Sequence, residues 1–307
     1  MKTVPLVAVA GVPQPGWVHI LTSWTFQPLV LVPLVAAGWL YVAGVRRVAE
    51  RYPRAPWPLH RTVWFFCGLA VTFFALESPI DIYANLFLWV HMIQHLLLMN
   101  MVPIFVLLAA PVTLALRASS TQTRKTRLLP ILRSRPVKVL SYPLVAWALF
   151  AGAVVFTHFS PLYELALQNQ WVHDLEHVIY LSAGLLYWWP VVGLDPSPWR
   201  LSYPVRLLYV FLAGPVNTFT ALAIYSAGVV LYPHYAEIPR SWGPSPLTDQ
   251  HWGGAIMWVA GDMMLLIAVI VLALAWMRHD EAEAVRIDAR LDAEDARRAR
   301  LGDAVEP

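Results

Sequence analysis

Two histidines four residues apart, His91 and His95, stand inside an apolar run from Asn85 to Leu116 that is long enough to cross a bilayer. A spacing of four puts both imidazoles on one face of a helix, with Cβ atoms about 6 Å apart. An ionisable group at membrane depth is costly, so a functional role is the default expectation for it. The spacing recurs at His173 and His177, in the segment HDLEH with Asp174 and Glu176 between them. His158 ends another apolar run, and His251 follows Asp249 at the start of a last one. Met92, Met99, Met101, Met257, Met263 and Met264 add thioethers to the same segments. Imidazole with soft sulfur suits Cu(I), whereas carboxylate-rich sites suit harder ions. The expected metal ligands are His91 and His95, with His158, His173 and His177 beside them and His251 and Asp249 at the entrance. Glu176, Asp262, Glu77 and Met92 are read as groups that tune those ligands from behind. Each residue has a plainer alternative. The first pair could be buried and bonded to neighbouring helices, HDLEH could be a charged helix start, and any one methionine could be packing. His19 and His234 read as interfacial.

The elements that must position these side chains are membrane helices. Of 307 residues, 58% are hydrophobic and 13% charged, and the mean hydropathy is +0.55. A soluble domain carries about 25% charged residues. The fold class expected is all-α, a polytopic seven-transmembrane-helix bundle. Its spans run near Phe26–Val45, Thr62–Leu76, Asn85–Leu108, Pro143–Thr157, Trp171–Val191, Val205–Val230 and Trp252–Met277. Trp24, Tyr83, Trp171, Trp188, Trp189, Tyr232, Trp252 and Trp276 fall near span ends, as an interfacial aromatic belt would. The single cysteine, Cys67, excludes an intrachain disulfide and any cysteine-pair metal site. The start, MKTVPLVAVAGVPQPG, mimics a signal peptide but has a short apolar part interrupted by Pro5.

Orientation follows from Lys and Arg. With seven spans, 20 of the 22 basic residues fall on one side, which must be cytoplasmic. The expected organisation is an extracytoplasmic segment over 1–25, a membrane domain over 26–277 and a charged cytoplasmic tail over 278–307. That tail, Ala-rich with mixed charge, reads as a solvated helix. The topology also sorts the histidines. His60 and His279 are cytoplasmic, and the other eight of the ten lie at or near the outer face. His91 falls about 10 Å deep and His95 one turn deeper. Four helices thus bring imidazoles to one outer level, which predicts an outer-facing, partly hydrated cavity.

Three stretches carry a family resemblance: HMIQHLLLMNMVPIFVLLAAPV, THFSPLYELALQNQWVHDLEHVIYLSAGLLYWWPVVG and LTDQHWGGAIMW. In order and spacing they resemble the seven-helix CtaG-type cytochrome c oxidase assembly factors, and ESPIDIYAN before the third span fits as well. The resemblance covers about Phe26 to Met277. It implies assembly of a haem–copper oxidase by supply of copper to its catalytic centre. It also implies oxidase subunits and extracytoplasmic copper carriers as partners, and a multi-pass place in the bacterial cytoplasmic (inner) membrane. A non-enzymatic role is expected, in contact with lipid and with no nucleic acid. Two rival readings stand beside it. HDLEH fits an H-x-x-E-H zinc hydrolase motif with Glu176 as general base, and imidazoles on separate helices could ligate haem.

Overall fold

In lipid every backbone polar group must be satisfied within the protein, and a helix does this segment by segment. The computed structural model describes residues 14–302, and among them every regular element is helical. The signal-like start, with Lys2, and the last tail residues 303–307 lie outside the described residues. In chain order, the helices that build and position the site are α1 (Pro28–Arg51), α2 (Leu59–Glu77), α3 (Leu88–Leu96), α4 (Val102–Leu108), α5 (Pro143–Phe159), α6 (Pro161–Gln168), α7 (Gln170–Val192), α8 (Tyr203–Phe211), α9 (Ala213–Ser226) and α10 (Pro246–Gly302).

Among the described residues, five helical stretches are long and apolar enough to cross a membrane: Pro28–Arg51, Leu59–Glu77, Leu88–Ala118, Tyr203–Ser226 and Pro246–Glu294. The pair α5 and α6, bent by 74° at Ser160, makes a sixth if taken as one span. Helix α7 lies where the fifth span is expected and has 23 residues, but its first turns carry His173, Asp174, Glu176 and His177. The chain is therefore an all-helical, multi-pass membrane protein, with five or six such spans where the sequence predicts seven. The last helix also differs in extent. The expected span ended at Met277, yet α10 continues without a break to Gly302, so the charged tail prolongs the membrane helix. The aromatic belt is only partly observed. Trp171 and Trp252 are exposed at helix starts, whereas Trp188, Tyr83 and Tyr232 are packed inside.

One irregular stretch sets the spacing at the site. Between α3 and α4 the chain widens into a π-helical turn, Leu97–Met101, a feature common at functional sites. Pro103 has no N–H to give the Met99 carbonyl four residues earlier. That carbonyl faces Gly184 of α7, where an added Cβ would lie 2.2 Å from Met99 O and 2.7 Å from Pro103 Cγ. Only glycine permits this approach. His95 lies one turn before Met99, and His177 two turns before Gly184, so the contact holds the two histidine pairs against each other.

Candidate metal centre

Helix α3 has no capping side chain of its own, since Phe87 precedes it. Its first N–H groups, from Leu88 and Trp89, instead donate to Asp249 of α10 at 3.1 and 3.2 Å. Arg240 donates to the same carboxylate at 2.9 Å and also to the backbone oxygens of Leu86 and Tyr235. This bracket fixes the start of α3 and the short helix Pro233–Glu237 that carries Tyr235.

Tyr235 then sets the state of His91. The Tyr235 hydroxyl lies 3.0 Å from the Ala84 carbonyl and 3.0 Å from His91 Nδ1. A carbonyl only accepts, so the hydroxyl gives its proton to Ala84 and accepts from His91 Nδ1–H. The lone pair of His91 is thereby left on Nε2, the arrangement that a second hydrogen bond imposes on metal-binding histidines. His91 Nε2 lies 2.6 Å from His95 Nε2 and, with its own proton on Nδ1, accepts from His95 Nε2–H.

From α7, His173 and Glu176 reach the same point. One potential ligand atom from each of His91, His95, His173 and Glu176 falls within 4.8 Å of the others, and all four residues are buried. Glu176 Oε2 lies 3.9 Å from His95 Nε2. Buried polar groups ordinarily find partners, yet His95 Nδ1 and the Nε2 atoms of His158, His173 and His177 have no hydrogen bond, and the Glu176 carboxylate has only the Tyr180 hydroxyl beside it. His158 and His177 form a rim, with ring centres 6.3 and 6.0 Å from that of His95. His158 gives its Nδ1 proton to Val154 O at 2.7 Å, so its Nε2 also carries a lone pair. Convergent imidazole nitrogens beside one carboxylate, buried and mostly without hydrogen-bond partners, are what a metal ion would satisfy.

The other residues expected at the site lie elsewhere. Asp249 is the cap of α3 just described. Glu77 accepts from the Gln27 backbone N–H at the start of α1, at 3.0 Å. Asp262 accepts from Asn217 at 2.9 Å and Thr218 at 2.6 Å across the α9–α10 contact. His251 lies near the Ala227 carbonyl, at 3.2 Å, and His19 bonds Ser23 of its own short helix. Met92 is buried and borders a cavity next to His95. Glu176, expected behind the ligands, stands among them.

The cluster is more enclosed than an outer-facing cavity would be, because His91 is 0% exposed and tyrosines pack over it. Tyr163 of α6 lies 5.3 Å from the His91 ring and 4.4 Å from the Tyr232 ring, centre to centre. Tyr163, Tyr232 and Tyr235 are the parts of the site that sequence reasoning missed. The signal was there in LYPHYAE, a tyrosine-rich segment between two spans, but nothing in its spacing says that its hydroxyls turn inward.

Comparison with known sequences adds a family and no activity. The sequence profile of the cytochrome c oxidase caa3 assembly factor family matches residues 39–279. An uncharacterized protein of Mycobacterium leprae is 31% identical over 288 residues, covering 91% of this chain and 43% of its own length. Uncharacterized proteins of Mycobacterium bovis and Mycobacterium tuberculosis are each 30% identical over 290 residues, 92% of this chain and 44% of their own length. The chain thus spans less than half the length of these curated relatives. No solved structure gives a significant match.

Proposed function

We propose a function from one premise: this chain belongs to the cytochrome c oxidase caa3 assembly factor family. It is a multi-pass membrane protein, and on that premise we read it as one that associates with the oxidase during assembly. Our reading is that it binds copper, as Cu(I), through His91, His95, His173 and Glu176, and supplies it to the haem–copper centre. It acts as a carrier and not as an enzyme. The observation that carries this reading is the convergence of those four buried groups within 4.8 Å.

Charge favours Cu(I) over a divalent ion. Three neutral imidazoles and one carboxylate sum to −1, so a monovalent ion makes the buried site neutral. Zn²⁺ or Cu²⁺ would leave it with net positive charge in a medium where uncompensated charge is costly. Imidazole donors without thiolate hold Cu(I) yet allow exchange to a recipient. The site would face the extracytoplasmic side of the bacterial cytoplasmic membrane, as the basic residues argue, and extracytoplasmic copper carriers would load it past Tyr163.

The test is metal content of the purified, detergent-solubilised protein after Cu(I) loading, wild type beside His91→Ala/His95→Ala. Copper kept by the wild type and lost by the double variant is expected, with oxidase activity in cells lost in parallel. Equal retention by both would overturn the site, and zinc kept in place of copper would turn the reading toward the hydrolase. Orientation is tested separately in a Cys67→Ala background. A cysteine at Gln168 should react with an impermeant thiol reagent from outside, and one at Arg127 should not.

A further inference from the structure

Three of the methionines singled out in the sequence turn inward. Met92, Met99 and Met257 are 1%, 5% and 4% exposed, whereas Met263 is 50% exposed. The three thioether residues border one cavity of about 40 Å³, with His95, His158 and Asn217 also on its wall. A space of that size holds one water-sized occupant. Interiors are close-packed, and methionine is the side chain best able to fill an irregular gap. A gap left among three methionines, with two histidines on its wall, is a place where a small soft ion could be held.

The polar atoms on its wall point to the occupant's chemistry. His158 Nε2 is buried with no hydrogen bond, and it carries a lone pair because Nδ1 is bound to Val154 O. His95 belongs to two places at once, with Nε2 at 2.6 Å from His91 and Nδ1 buried without a partner. Asn217 donates through Nδ2 to Met257 O at 3.1 Å and to Asp262 at 2.9 Å. One carboxylate thus stands behind a wall of uncharged residues whose three methionines and two histidines are donors suited to a soft monovalent cation.

We propose that this chamber is a second station for Cu(I), held by Met92, Met99, Met257 and His158, with His95 handing the ion between it and the histidine–glutamate cluster. The inference rests on the copper reading of that cluster. The ion moves intact by ligand exchange, one donor replacing another, and no electron is transferred.

The test uses Ag(I), a redox-inert soft monovalent ion, on the full-length protein in detergent, followed by X-ray absorption of the Cu(I)-loaded protein. Wild type should retain two Ag(I) per chain, and its copper spectrum should contain a sulfur shell. Met92→Leu/Met99→Leu/Met257→Leu, close to volume-conserving, should retain one Ag(I) and lose the sulfur shell. His91→Ala/His173→Ala should also retain one, with the sulfur shell intact. A wild-type spectrum with no sulfur and a single ion would overturn the chamber while leaving copper at the cluster. A wild type that retains no ion would overturn both readings. The sulfur shell needs no variant, so it decides the question even if the triple variant does not fold.

Discussion

Asp249 and Glu176 are both sealed carboxylates, 0% and 1% exposed, and they are used in opposite ways. Asp249 accepts two backbone N–H groups at the start of α3 and the guanidinium of Arg240. Asp195 repeats the pattern elsewhere, accepting from the backbone of Val112 and from the backbone and hydroxyl of Thr113. Glu176 has no backbone N–H or guanidinium partner; only the Tyr180 hydroxyl stands beside it, among imidazoles with unpaired nitrogens. A buried carboxylate bonded on every side is part of the scaffold. One left with almost no partners among lone pairs is costly as an anion in the empty protein, and that cost is offset by a proton or a cation.

The contrast has opposite consequences for substitution. Asp249→Ala leaves Arg240 buried without its anion and α3 without its cap. Breaking such a pair costs about 3–5 kcal/mol, so the variant should unfold at markedly lower temperature or denaturant. Glu176→Gln should leave stability unchanged or raised, since a neutral amide is cheaper to bury than a carboxylate with almost no partners, while Cu(I) retention falls. Thermal unfolding in detergent beside metal content per folded chain reads both. A Glu176→Gln variant as unstable as Asp249→Ala would erase the distinction.

Tyr235 joins the two regions, because Arg240 holds its backbone while its hydroxyl holds His91. Tyr235→Phe removes the acceptor that fixes the proton on Nδ1. Groups of this kind contribute about 10–100-fold to metal affinity, so Cu(I) binding should weaken by that order with little loss of stability. Affinity measured by competition with a Cu(I) chelator checks it, and unchanged affinity would mean that the hydroxyl does not set the tautomer. Metal bound per folded Asp249→Ala chain should fall no further than in Tyr235→Phe.

What the sequence shows of this arrangement follows from what spacing can encode. His91 and His95 share a face because they are four apart on one helix, and the same holds for His173 and His177. The convergence of the two pairs was read from a common depth, and it arises because Pro103 and Gly184 let α4 and α7 touch, which no periodicity announces. Asp249 looked like a ligand for the same reason it is a cap. An acid beside a histidine at a span start is the same pattern in both cases, and only the position of α3, 160 residues earlier, decides between them. The tyrosine roof comes from two helices of eight and five residues and the residue before the second, too short for spacing to carry a direction.

Asp81 stands between the two kinds of carboxylate and gives the smallest effect. It sits in the short helix Pro79–Ala84, between α2 and α3, and accepts from Gln94 Nε2 at 3.0 Å and Gln27 Nε2 at 3.4 Å. Burial pushes its carboxyl up to about 7; the Gln94 bond opposes the shift, and the charges of Glu77 and Asp174 add to it. Unfolded, the group titrates near 3.8, so folding favours its protonated form. That contribution is fully present below about pH 4, erodes as pH rises, and is gone above about 7. Wild-type melting temperature should therefore decline between pH 5 and 8, and Asp81→Asn, which cannot ionise, should flatten the decline. An unchanged slope in the variant would mean that the Gln94 and Gln27 bonds already compensate the buried charge of Asp81, and would overturn the assignment.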